Sequence, residues 1–138
     1  LLSGLGSWLS STIKLTLAGI RKIVLFIVLL LLVYAGSLPW LLEAGMGFSI
    51  WGKILLTLVL IGLPSFFMGM PFPLGLHFLS QRNEEAVPWA WGINGCLSVV
   101  SASLATILAI EIGFSVLMLL AATAYFITLA SSFLVKQQ

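Results

Sequence analysis

The sequence contains no aspartate, a single cysteine (Cys96) and a single histidine (His77). Charged residues make up 7% of the 138, against about 25% in an ordinary soluble domain. Each shortage excludes a class of function. One cysteine permits neither an internal disulfide nor a cysteine-built metal cage, and its apolar surroundings predict a small buried core residue. One histidine without aspartate cannot assemble a nucleophile–base–acid triad. The formal net charge of +2 is too small and too dispersed for nucleic-acid binding. Gly4-x-Gly6 and Gly45-x-Gly47 lack the third glycine of a dinucleotide loop, and no Gly-Lys-Ser/Thr run or paired set of metal ligands occurs. No catalytic, cofactor-binding or metal-binding residue is therefore expected, and the chain by itself is not expected to be an enzyme.

What the sequence has instead is apolar length. Hydrophobic residues make up 61% of it. A soluble fold of this size leaves a large share of its residues facing water and cannot hide that much apolar surface. The expected class is an all-α integral membrane protein, a single membrane domain over residues 1–138. The polar residues divide the chain into four apolar segments, at 23–42, 54–76, 89–110 and 114–135. Each is close to the roughly 20 residues a helix needs to cross hydrocarbon, and none shows the alternation of a barrel strand. Short links make consecutive helices antiparallel neighbours. The tightest is Glu111-Ile112-Gly113, between the third and fourth.

Orientation follows from the basic residues. With the N-terminus cytoplasmic, Lys14, Arg21, Lys22, Arg82 and Lys136 lie inside and Lys53 alone lies outside. Both termini are then cytoplasmic. Trp40 and Trp51 fall at the predicted outer ends, Trp89 at an inner end and Trp91 slightly deeper, as an interfacial aromatic belt requires. Residues 1–20 differ from the rest. Leu1, Leu5, Trp8, Leu9 and Ile13 recur at helical spacing with Ser3, Ser7, Ser10, Ser11 and Lys14 largely between them. This pattern predicts an interfacial helix on the inner surface, the tail of a preceding element, or a loosely ordered lead-in weakened by Gly4 and Gly6.

Two stretches stand out. Pro64, Pro71 and Pro73 enter the second segment, and each lacks an N–H and clashes with the carbonyl four residues back: those of Leu60, Phe67 and Gly69. The second helix is expected to break at Pro64 and again at Pro71 and Pro73. In lipid the freed carbonyls need protein or a polar cavity beside them. In the third segment Ala90, Asn94, Ser98, Ser101, Ala105 and Ala109 share one helical face. Such a stripe of small residues admits a close helix neighbour, and Asn94 can bond across to it. His77, Arg82, Glu84 and Glu85 form the polar inner loop, expected to be solvated and to fix topology, with an anion-binding or catalytic role as the alternative.

Gly69-Met70-Pro71-Phe72-Pro73-Leu74-Gly75-Leu76, followed after the polar loop by Val87-Pro88-Trp89-Ala90-Trp91-Gly92-Ile93-Asn94-Gly95, resembles the membrane part of bacterial membrane-bound spermidine synthase-like proteins. The resemblance covers roughly Gly62 to Tyr125. It implies a multi-helix, sometimes major-facilitator-like membrane region joined to a soluble aminopropyltransferase-like domain with a Rossmann-type core. Aminopropyl transfer needs a glycine-rich loop after a strand and aspartates to hold the amine, and this chain has neither. An arginine commonly follows the Pro-Leu-Gly-Leu run in that family, whereas His77 stands here.

Three functions follow as expectations. The first is a non-catalytic transmembrane subunit or domain that anchors or scaffolds a larger assembly, with the lipid bilayer and other transmembrane helices as partners, in a cell membrane of the bacterial inner type. The second is part of a transporter-like bundle, which requires a polar cavity lined by the carbonyls of Leu60, Phe67 and Gly69 and by Asn94. The third is the membrane region of a spermidine synthase-like enzyme whose catalytic domain is not in this chain.

Overall fold

The computed structural model describes residues 1–12 and 16–134. Ile13, Lys14, Val135 and Lys136, on which parts of the interfacial, orientation and last-span expectations rest, lie outside them. The described residues form six α-helices and no strand: α1 (Leu2–Thr12), α2 (Leu17–Gly45), α3 (Ile50–Met68), α4 (Pro71–Arg82), α5 (Val87–Ile112) and α6 (Phe114–Leu134), with a 3₁₀ turn at Glu84–Ala86. Four runs are long and apolar enough to cross a membrane: α2, α3 continued by α4, α5 with the 3₁₀ turn before it, and α6.

Local chemistry sets the ends. Thr16 caps α2 by accepting from the Gly19 N–H at 3.3 Å, and Ser49 caps α3 by accepting from the Gly52 N–H at 3.4 Å. Both satisfy donors that the first helical turn leaves orphaned. The polar caps lie before the apolar runs, which is why α2 and α3 start ahead of the expected spans of 23–42 and 54–76. Residues 17–20 accordingly belong to α2 and not to a separate lead-in. Gly113 alone separates α5 from α6, at φ 85° and ψ 160°. That region of backbone space is close to glycine-only.

The core lies where α2 and α6 pack along each other and receive the end of α3. Ile27 and Leu31 of α2 and Ala122 of α6 are its buried centre, with Phe67, Met68, Met118 and Tyr125 packed around them. Phe26 meets Phe67 at a ring-centroid distance of 4.6 Å. Arg21, near the start of α2, bonds to Ser132 in the last turn of α6. The start of α2 and the end of α6 therefore lie together, with Lys53 beyond the opposite end of α2.

Two expectations are corrected here. The helix continues through Pro64 and stops at Met68, so the interruption falls at Gly69–Met70, immediately before Pro71, and not at Pro64. The Ser65 hydroxyl donates to the Ile61 carbonyl at 2.7 Å, which helps to hold the turn around Pro64 together. Pro71 opens α4, where its missing N–H costs nothing. The second correction concerns α1. It does not lie alone on a surface: it packs against α3 and α4. Its buried face is Gly6 and Ser10, while Leu5, Trp8 and Leu9 point outward, with Trp8 67% exposed. The pattern is inverted relative to a helix in water. Lipid accepts the large apolar side chains, and small residues let backbones approach closely.

Candidate functional site

Around the helix interruption, the backbone is satisfied largely from within. The Gly69 N–H donates to the Ser65 carbonyl and the Met70 N–H to the Phe67 carbonyl, both at 3.2 Å. The carbonyl that Pro71 leaves without a helical donor is thus served by the residue just before the proline. The joint faces protein. A Cβ added to Gly6 would collide with the Phe66 carbonyl, and one added to Gly69 would collide with the Ser3 carbonyl. Met70 and Leu74, on either side of Pro71, are buried. Pro73 lies in the first turn of α4.

The face of α5 is the opposite case. None of its 26 residues is buried. Of the small-residue stripe, Asn94, Ser98 and Ser101 are exposed, while Ala90, Ala105 and Ala109 are half-buried. The last two lie near the Gly113 hairpin, where α6 turns back along α5. The stripe is therefore covered at its ends and bare in the middle. Its hydroxyls turn back on their own helix: Ser98 donates to the Asn94 carbonyl at 2.6 Å and Ser101 to the Ser98 carbonyl at 3.2 Å. Asn94 stands about 10 Å along α5 at 1.5 Å per residue, inside the apolar layer. A shallow apolar groove lined by Pro88, Trp89, Gly92, Ile93, Cys96 and Leu97 occupies the opposite side of the same helix. Cys96 is exposed there, not buried as its apolar surroundings predict, because among the described residues no other helix covers that side of α5.

The polar residues gather where α4 meets α5. His77 is exposed, and the Gln81 side-chain amide nitrogen lies 3.1 Å from its Nε2, an i, i+4 pair along α4. Ser80 donates to the His77 carbonyl at 2.9 Å. Arg82 ends α4, and Glu84 and Glu85 follow in the 3₁₀ turn, all exposed. Among the described residues no three His, Cys, Asp or Glu converge on a possible metal position, and no buried side-chain polar atom lacks a hydrogen-bond partner. The described groove is apolar and lies on α5, apart from the carbonyls of Leu60, Phe67 and Gly69.

Two contacts went unread in the sequence. The Phe72 and Trp91 rings meet edge to face with centroids 5.1 Å apart, joining α4 to α5. The aromatic–proline stretches flanking the polar loop were a signal, but their pairing needs the helix interruption to aim Phe72. The other is the seating of α1 against α3 and α4 through Gly6 and Ser10: the serines between the apolar residues of 1–20 show a spacing but not the neighbour they meet. Together these features define a multi-pass helical membrane protein, with one span interrupted and one span largely bare. The chain matches no protein-family model, no curated protein and no solved structure.

Proposed function

We propose that this chain is a non-catalytic membrane domain or subunit that anchors a larger helical assembly, with both termini cytoplasmic in a bacterial inner membrane and α5 as the element presented to neighbouring helices. One observation carries the reading: α5 buries none of its residues, yet it holds an exposed Asn94 among small side chains inside the apolar layer. Polar side chains within a bilayer generally face other helices or water, and small residues are what allow helices to approach closely. The spans carry no cluster of ionisable groups for chemistry or ion passage, which fits a scaffold.

The test is the native mass of the protein extracted from its own membrane in mild detergent. A complex heavier than the single chain is expected. Ser98→Phe, on the bare stripe, should shift the protein toward the mass of the chain alone, and Val100→Phe, on the opposite side of α5, should not. A chain that is stable and alone, or a complex indifferent to Ser98→Phe, refutes the reading.

The Phe72–Trp91 contact supports a second reading. It unites the two stretches that resemble the membrane region of spermidine synthase-like proteins into one unit. On this reading the anchored partner is a soluble aminopropyltransferase-like domain. The adjoining coding sequence tests it: a glycine-rich nucleotide-binding domain in the same reading frame is expected, and complete reading-frame ends without one exclude it.

A further inference from the structure

The joint between α3 and α4 diverts one backbone donor from its helical acceptor. In an unbroken helix the Met70 N–H would bond to the Phe66 carbonyl. It reaches the Phe67 carbonyl instead, because Pro71 has no N–H to offer Phe67. What stands against the Phe66 carbonyl is the Cα of Gly6 on α1, so close that no Cβ would fit. The contact is reciprocated, with Gly69 of the joint equally tight against the Ser3 carbonyl. Leu2 completes the seat: its Cδ1 would lie 2.7 Å from a Cβ on Gly62. Cα–H groups are weak donors to carbonyls at close helix contacts, and a carbonyl exposed to hydrocarbon is costly. By this arrangement α1 shields what the joint leaves uncovered. Ser10, one further turn along, is buried on the same face and donates to the Ser7 carbonyl at 2.7 Å.

We propose that α1 is an internal strap that holds the α3–α4 joint at one angle, and that lifting it frees α4 to pivot about Gly69–Met70. The pivot would carry the polar end of α4, His77 to Arg82, and would pull on α5 through the Phe72–Trp91 ring contact. The strap thus couples a peripheral helix to the bare span. It works by steric exclusion and carbonyl shielding, so one added side chain at Gly6 is enough to lift it.

The experiment is pulsed spin-label distance measurement on the whole chain in liposomes, with Cys96→Ser as background. One label pair at Leu25 and Ser80, both exposed, reports α4 against α2; a second at Val33 and Leu119, also exposed, reports α2 against α6. Gly6→Leu should shift and broaden the first distribution and leave the second unchanged. Gly4→Leu, at a glycine with nothing within 4 Å, should change neither. An unchanged first distribution in Gly6→Leu overturns the proposal, and so does an equal change in Gly4→Leu. If Gly6→Leu disturbs both pairs, Gly6→Ala decides: a shift confined to the first pair supports the strap, and any other result overturns it.

Discussion

The guanidinium of Arg21 clasps Ser132 from 111 residues away: Nη2 donates to its backbone carbonyl at 2.6 Å and Nε to its hydroxyl at 3.1 Å. The same group sits 4.2 Å from the centroid of the Phe133 ring. Ser132 lies in the last turn of α6, where carbonyls lack helical donors and the helix dipole favours a cation. A residue that the charge pattern marks only as a topology signal therefore also closes the α2–α6 pair.

Arg21→Gln should destabilise the protein by about 1–3 kcal/mol, the range for hydrogen bonds to a charged group. Arg21→Lys should recover only part of this, because an ammonium cannot reproduce the two-pronged geometry. Lys22→Gln, at the exposed neighbour, should have little effect. Thermal unfolding in a single detergent, followed by circular dichroism, measures all three.

Ile27 is fully buried between α2 and α6. Ile27→Ala should cost about 2–5 kcal/mol, since the cavity left behind loses its packing contacts and relaxes only in part. Ala122→Leu should also destabilise, by overfilling the same space. The equivalent truncation at Leu29, which is 53% exposed, should be far milder. Denaturant titration in mixed micelles ranks the three.

The single-residue hairpin at Gly113 makes a sharper prediction. A Cβ there meets no atom within 4 Å, so the constraint is the backbone angle alone. Gly113→Ala should therefore destabilise by about 1–3 kcal/mol through strain. The added Cβ itself clashes with nothing, so the loss should not grow much from alanine to serine. A steep dependence on side-chain size would show that space, not φ, is limiting.

Phe72 and Trp91 should be energetically coupled. A double-mutant cycle with Phe72→Ala and Trp91→Ala is expected to give about 0.5–1.5 kcal/mol, the usual worth of an aromatic pair beyond its burial. Coupling near zero would mean that α4 and α5 are held together elsewhere.

The four spans were legible because the bilayer imposes a length and a polarity that composition reveals directly. The turns of the structure fall close to Lys53 and to the Glu111–Gly113 corner, at residues 46–49 and at Gly113, with Lys53 itself in the first turn of α3. The hairpin position was plain from one glycine between two apolar runs. The joint was half legible: prolines locate a disturbance, but Pro64 can sit inside a helix whose neighbouring carbonyl takes the Ser65 hydroxyl, whereas Pro71 ends one helix by starting the next. The seating of α1 was misread for a physical reason. Apolar spacing says which residues share a face, not whether protein or lipid is the better solvent for that face. The clasp of Arg21 on Ser132 was illegible, since nothing local to either residue encodes a contact between positions 111 apart in the chain.

The bare middle of α5 is the feature on which the functional account stands. Oxygen accessibility of single nitroxide labels, compared between native membranes and the purified chain in liposomes, measures it at the level of one side chain. In native membranes a label at residue 98 should be shielded while one at residue 100 meets lipid, and purification should bring 98 up to the level of 100. Equal, lipid-like accessibility at both positions in the native membrane would mean that no helix covers α5, and would contradict the account.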